Sequence, residues 1–326
     1  MHVLGIDLAK RSFDVTVLRE GGDRRHKQFP NTSAGFEQLQ QWLRSQHIER
    51  VHACMEATNV YWEALAAFLA DANHVVSVVN PARIKGFAQS QMNRTKTDKQ
   101  DSRIIALFCL QCQPDAWTPP SAEQRRLRAL TRHRDDLLKT RTQLTNRLGD
   151  TSDTVVRTSL EAVLASVEEQ LTSVHKQLKQ HLKEHDELGE QAALLTAIAG
   201  IGVITAYKLL AEFSDIDAYS SAKALAADAG VTPAQYESGT SVRRRARLSK
   251  VGKAGVRAAL YWPAIVAMQR CEGMKAFAAR LAARGKAKGV IIGAVMRKLL
   301  HIVYGVLKHK TPYDPSKVLG PSRSST

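Results

Sequence analysis

At 326 residues with 44% hydrophobic content, the chain exceeds a single core and is apolar enough to build two, so two globular units with an extended helical element between them are expected. Four scattered cysteines, Cys54, Cys109, Cys112 and Cys271, exclude a disulfide framework or a cysteine zinc site. The formal net charge of +16 predicts an anionic partner.

No basic-then-apolar leader precedes the first strand-like run. The longest uncharged run, Gln191–Tyr207, is too short for a membrane span and is broken by Gly200 and Gly202. These features predict a cytoplasmic protein with no membrane partner.

Residues 1–117 alternate strand and helix patterns. "HVLGID" and "RSFDVTVLRE" are apolar or β-branched runs joined by the short "LAK" turn, and "RRHKQF" is the third strand of a meander. "AGFEQLQQWLRSQ" has helical spacing at Phe36, Leu39 and Leu43. "VHACME" reads as a buried strand, "YWEALAAFLADA" as a helix, and "HVVSVVN" as a strand ended by Pro81. This order implies a mixed sheet covered by helices on its faces. "FCLQC" reads as part of a buried helix.

From residue 118 to 190 the pattern becomes charged and heptad-like. One stripe contains Leu127, Leu130, Leu137, Leu138, Leu144 and Leu148, and after "GDTSD" a second runs from Leu160 to Leu182. Two helices of roughly 40–50 Å should form an antiparallel coiled-coil hairpin around the Gly149 turn, a rigid spacer with apolar surface left for an oligomerisation partner. Residues 191–312 read as a mainly helical domain, and 313–326 as a polar tail. "LLTAIAGIGVITAYKLLAEF" places two amphipathic helices around Gly200 and Gly202, where exposed backbone N–H groups can hold a phosphate, as in a helix-hairpin-helix element.

The charge is unevenly placed. Residues 1–117 and 118–190 are nearly balanced, whereas residues 191–326 carry 21 Lys/Arg against 7 Asp/Glu. Between Ser238 and Lys310 the single acidic residue is Glu272. A solvated helix face normally mixes signs, so a run this one-sided points to nucleic acid. Within it, "YESGTSVRRRARLSKVGK" sets Ser241 beside Arg243, Arg244, Arg245 and Arg247, with Lys250 and Lys253 following. A hydroxyl so placed is a candidate nucleophile toward a phosphate, since clustered guanidiniums offset the charge of the attacked phosphodiester.

Four carboxylates of the first region stand at element ends. Asp7 closes the first strand and Glu56 the fourth, while Asp98 and Asp101 open a helix three residues apart and share a face. Gathered at one sheet edge they would repel unless a hard dication lay between them, and Mg2+ suits carboxylate, water and phosphate oxygens together. Taken singly, each has an ordinary reading as a helix cap or a strand-end acid.

These motifs in this order, "GIDLAK", "MEAT", "KTDKQDSR", "AGIG", "AGVTPAQYESGTSVRRRARLSKVGK" and "ALYWPA", resemble the transposases of the IS-one-ten insertion-sequence family, also called DEDD transposases, relatives of the Piv-type DNA invertases. The resemblance runs from about residue 3 to 312. It implies an α/β RuvC-like (RNase H-type) first domain whose Asp, Glu, Asp, Asp set is Asp7, Glu56, Asp98 and Asp101, and a C-terminal transposase domain whose nucleophilic serine is Ser241, with Ser238 and Thr240 as neighbouring hydroxyls. It also implies donor and target DNA as substrates, a guide RNA encoded by the element, and a homo-oligomer, dimer or tetramer. The expected activity is a Mg2+-dependent recombinase working through a phosphoserine. The alternatives are a RuvC-type structure-selective nuclease and a non-catalytic nucleic-acid-binding scaffold.

Overall fold

Seven-residue runs that are apolar or β-branched along most of their length, β1 (His2–Leu8) and β2 (Ser12–Leu18), form the centre of a five-stranded sheet. In the computed structural model, which describes residues 2–19, 23–57, 60–91, 97–238, 242–249 and 251–315, with backbone only at 235–238 and 242–246, the chain divides into two compact units, Met1–Pro119 and Pro120–Thr326.

The first unit adds β3 (Arg24–Pro30), β4 (Val51–Glu56) and β5 (Val75–Val79) in the order β3-β2-β1-β4-β5. The first three strands are the antiparallel meander the sequence predicts, and β4 and β5 join parallel to β1. β3 is a mostly exposed edge carrying Arg24, Arg25 and Lys27, charges that discourage further strand pairing. Side chains alternate between faces. Leu4, Ile6, Val15, Ala53 and Met55 enter the core shared with α1 (Ser33–Ser45) and α2 (Glu63–Asp71), while Val3 and Cys54 pack with α3 (Pro81–Ser90) and α4 (Asp98–Cys112). Pro81 opens α3 directly after the strand, its missing N–H costing nothing at the first helical position, with Asn80 accepting from the Ala82 N–H at 2.9 Å. "FCLQC" lies in α4, with Cys109 buried and Cys112 exposed.

α4 lies on β1 at backbone distance. A Cβ placed on Gly5 would stand 2.2 Å from both the Ala106 nitrogen and the Ser102 carbonyl oxygen, so only glycine admits the helix. Beside this contact the buried hydroxyls of Thr16 and Ser102 are 2.8 Å apart and hydrogen-bonded.

The second unit begins with α5 (Ala122–Asp150) and α6 (Thr154–Glu184), an antiparallel pair of roughly 45 Å. Ser121 and Gln124 form a reciprocal capping box at the start of α5. The turn comes slightly later than the sequence predicts. Gly149 stays helical, and the reversal falls at Thr151–Asp153 because Asp153 caps α6 while Arg157 donates to the carbonyls of Leu148 and Thr151 at 3.0 and 3.2 Å. Leu144, Leu160, Val167 and Leu171 pack along the hairpin. Nearer its base, Leu127, Leu130, Val174, Leu178 and Leu182 enter the core built by α7 (Asp186–Thr196), α8 (Val203–Glu212), α9 (Ala222–Asp228), α10 (Ala254–Arg270), α11 (Glu272–Ala283) and α12 (Lys288–His309).

α12 is, by length and a mean hydropathy of 1.8, apolar enough to cross a membrane. Its Val295, Leu299, Leu300 and Val303 are instead fully buried in the core of this unit, which accounts for that composition. The segment read as a serine loop contains a two-stranded antiparallel sheet, β6 (Pro233–Ser238) and β7 (Val242–Leu248), with an irregularity between Ala234 and Tyr236.

Gly5→Ala should therefore lower stability by forcing α4 away from β1. Forcing a methyl between two backbones is expected to cost about 1–3 kcal/mol or more, read as a lower denaturant midpoint. A midpoint unchanged from the parent would contradict the packing described.

Candidate active site

The register of β1 against β4 pairs Gly5 with Cys54 and Ile6 with Met55, so one further step sets Asp7 level with Glu56 at the carboxyl ends of both strands. Alternation puts Val3, Gly5 and Asp7 on the face covered by α4, and Cys54 and Glu56 on the same face. α4 runs antiparallel to β1, with Cys109 near His52 and Ser102 over Gly5, which brings its first turn, holding Asp98 and Asp101, toward Asp7. That first turn is capped by Thr97, whose hydroxyl accepts from the Gln100 N–H at 3.2 Å. The capping role is thus already filled, and neither aspartate is needed for it.

The four predicted carboxylates converge. Asp7 is half-buried and its carboxyl is lifted to about 6, first by burial and then by the charges of Asp101, Asp98, Glu56 and Asp14. Clustered hard oxygen donors fit a hard dication such as Mg2+.

Asp14 is a carboxylate that the motif reading missed. It is buried, pairs directly across from Asp7 in the β1–β2 register, and is tied off by His26 Nε2 and Gln28 Nε2, each 2.8 Å from one of its oxygens. The signal was available: Asp7 and Asp14 flank the "LAKRSF" hairpin symmetrically, so antiparallel pairing had to bring them opposite one another.

Ser241, with Gly239, Thr240 and Lys250, lies outside the described residues, between the end of β6 at Ser238 and the start of β7 at Val242 in the case of the serine. Arg243, Arg244 and Arg245 occupy β7, of which the backbone is described. Arg247 is exposed and, with Leu248, Phe277, Arg297, Lys298 and His301, lines a cleft of about 990 Å3. Positive charge is crowded there. Burial and Arg280 hold the Lys298 amine below its ordinary range, and burial followed by Arg297, Lys298 and Lys223 lowers His301.

The remaining candidates have structural work. Gly200 has φ +94° and a Cβ there would stand 2.4 Å from the Pro263 carbonyl oxygen, so it admits the α7–α8 turn against α10. Gly202, at the start of α8, is exposed with open space around it, leaving the helix's first N–H groups uncovered by a side chain. Lys253 is turned inward. Its Nζ donates to the Glu212 carbonyl at 2.7 Å, pairs with Asp228 at 3.0 Å, contacts the Tyr219 hydroxyl at 3.3 Å, and lies 4.8 Å from the Phe213 ring centroid. Its charge is thereby committed within the unit, pinning the start of α10 to α9.

Such a chain, an acidic sheet edge in one unit and a basic helical second unit, has the character of an enzyme that handles phosphodiesters. Residues 4–155 match the DEDD transposase family described as "Transposase", and residues 192–280 match "Transposase IS116/IS110/IS902 family". The chain is 34% identical to the pilin gene-inverting protein of Moraxella bovis over 318 residues, covering 95% of this chain and 97% of that one. It is 26% identical to the transposase for insertion sequence element IS1328 of Yersinia enterocolitica over 300 residues, covering 83% and 85%. The chain belongs to the IS110-type family of transposases and DNA invertases.

Two measurements follow from this geometry. Because the folded-state pKa of Asp7 is raised from 3.8 to about 6, its contribution to stability is full below about pH 4 and is lost as pH rises through 6. In chelator at pH 7.5, Asp7→Asn should therefore melt higher than the parent, with the gap closing toward pH 4, and Mg2+ should stabilise the parent but not the variant. Identical melting of both proteins at every pH would refute the convergence. Lys253→Met should destabilise by about 1–3 kcal/mol by removing the cation from Asp228, which keeps only the Tyr219 hydroxyl at 2.6 Å, and by leaving the Glu212 carbonyl without its donor, while the dependence of log affinity for duplex DNA on log salt keeps the parent's slope. A slope reduced by about one would place Lys253 on a phosphate instead.

Proposed function

We propose that this protein is a site-specific DNA recombinase that cuts and rejoins DNA through a serine-linked intermediate, with a RuvC-like first unit. The observation that carries the reading is the convergence of Asp7, Glu56, Asp98 and Asp101, expressed in the raised pKa of Asp7. In this reading those four residues hold Mg2+, which when bound polarises phosphate oxygens and offsets charge developing on the phosphodiester. Asp14, hydrogen-bonded to His26 and Gln28, is a positioning group beside Asp7.

Ser241 is the nucleophile. A bond forms from its Oγ to phosphorus as one phosphorus–oxygen bond to a sugar breaks; the hydroxyl proton passes to a base and the departing sugar oxygen leaves as a hydroxyl. A sugar hydroxyl of another DNA end then attacks the phosphoserine, restoring the serine. One phosphoester bond is exchanged for another at each step, so no external energy source is required. The arginines at 243, 244, 245 and 247 bind the phosphate and lower the cost of the forming alkoxide.

Donor and target DNA are the substrates, in keeping with the inverting and transposing relatives. A guide RNA encoded by the element selects them by base pairing, and the uniformly basic region holds both nucleic acids through their backbones. The protein acts as a homo-oligomer, a reading supported by Val155, Val156 and Val163, apolar residues left exposed toward the tip of the hairpin.

A second reading is favoured by the same carboxylates: metal-dependent cleavage by water, which needs no serine. Covalent trapping separates the two. With end-labelled element DNA, guide RNA and Mg2+, the parent should yield a denaturant-resistant protein–DNA adduct. Ser241→Ala should abolish it while binding stays within about threefold, and Asp7→Asn or Asp98→Asn should reduce it by about a hundredfold or more. Undiminished cleavage with free ends in Ser241→Ala would establish the water mechanism and overturn the serine.

A further inference from the structure

The last turn of α6 carries His181 and Glu184, and His185 forms the single-residue joint between α6 and α7. One donor atom from each lies within 4.8 Å of the other two, and the two imidazole centroids are 4.5 Å apart. The set belongs to the second unit, not to the carboxylate edge. Its sequence signature, "HLKEH", was absorbed into the heptad pattern of the hairpin.

Three further features give this cluster the chemistry of a cation site. His181 is buried and its Nε2 lies 2.9 Å from the Glu123 carbonyl oxygen. A carbonyl only accepts, so Nε2 carries the hydrogen and the neutral ring's lone pair is left on Nδ1. This is the outer partner that fixes the tautomer of a metal-binding histidine. Gln180 Nε2 donates to one oxygen of Glu184 at 2.9 Å, orienting the carboxylate while its other oxygen remains for a ligand. Finally, the carboxyl end of a helix presents unsatisfied carbonyls, which favour a cation at this end of α6.

We propose that His181, Glu184 and His185 bind a divalent transition metal of the zinc class, which stiffens the joint between the hairpin and the helical core. Two imidazoles and a carboxylate are borderline donors that select zinc, cobalt or nickel over magnesium. Tetrahedral binding requires ligand atoms about 3.3 Å apart, from zinc–ligand bonds of about 2.0 Å. Small rotations of Glu184 and His185, which are exposed and half-exposed, supply the contraction. The fourth position opens on a polar cleft of about 500 Å3 that Glu123 and Asp186 also line, so water or one of these carboxylates completes the shell. The metal's role here is structural: it ties the end of α6 to the joint, and through the His181–Glu123 hydrogen bond to the first turn of α5.

The test uses the full chain, stripped with chelator and titrated with Zn2+ by calorimetry, and with Co2+ by visible absorption, which reports imidazole ligation. Asp7→Asn controls for metal at the carboxylate edge. The expected result is one tight equivalent of Zn2+ per chain in Asp7→Asn, the same equivalent in the parent in addition to any metal at the carboxylate edge, a rise in melting temperature, and a cobalt spectrum of mixed nitrogen and oxygen ligation. His185→Ala and Glu184→Gln, at the accessible positions, should each lose at least roughly tenfold in affinity together with the thermal shift. Absence of Zn2+ binding in the parent would overturn the proposal, as would affinity left within threefold by both variants. Because the readouts are metal binding and melting, the result is independent of whether the protein recombines DNA.

Discussion

The missing side chain at Gly5 sets the distance between α4 and the central strand, and the acidic edge depends on that distance. Two residues along β1 from Gly5 is Asp7, and one turn back along α4 from Ser102 is Asp98. A strand advances about 3.3 Å per residue and a helix 1.5 Å, so both carboxylates lie a similar 6–7 Å from the same contact. Any side chain at position 5 would lift the helix and separate them. The buried Thr16–Ser102 hydrogen bond fixes the helix along the other direction, leaving the first turn of α4 little freedom to slide.

The two units pose opposite electrostatic problems. In the first, burial and then the neighbouring carboxylates raise Asp7, which marks acids held close together at one sheet edge. In the second, burial and then neighbouring basic residues lower Lys298 and His301.

Within the second unit, backbone proximity again decides what side chains do. Gly252 has φ +128°, and a Cβ there would stand 2.0 Å from the Asp228 carbonyl oxygen; the next residue's N–H donates to that same oxygen at 2.8 Å. This brings Lys253 over Asp228 and turns a residue from a basic run into an internal tie. Gly200 performs the same service against α10. The hairpin is anchored likewise, its basal leucines being part of the helical core rather than a separate coiled coil resting on it.

Much of this was legible in the sequence, because strand alternation, helical spacing and capping are local. The meander, the alternating helices, the two long amphipathic helices and the four carboxylates at element ends could all be read from residue order. The turn of the hairpin was displaced by a few residues because Arg157 and Asp153, and not Gly149, satisfy the chain reversal. The β6–β7 pair was missed because its stabilisation is cross-strand, and its arginine-rich run has little apolar alternation to mark it.

The sequence by itself determined which residue types were available: acids at strand and helix ends, a one-sided basic region, glycines at tight points. Only the tertiary structure decided which of them act together. It set Asp14 beside Asp7, turned Lys253 inward, gave Gly200 to packing, and assembled His181, Glu184 and His185 against the Glu123 carbonyl. The physical reason is that pKa, pairing and metal affinity depend on distances of a few ångströms between residues remote in the chain, and those distances are fixed by packing rather than by local propensity.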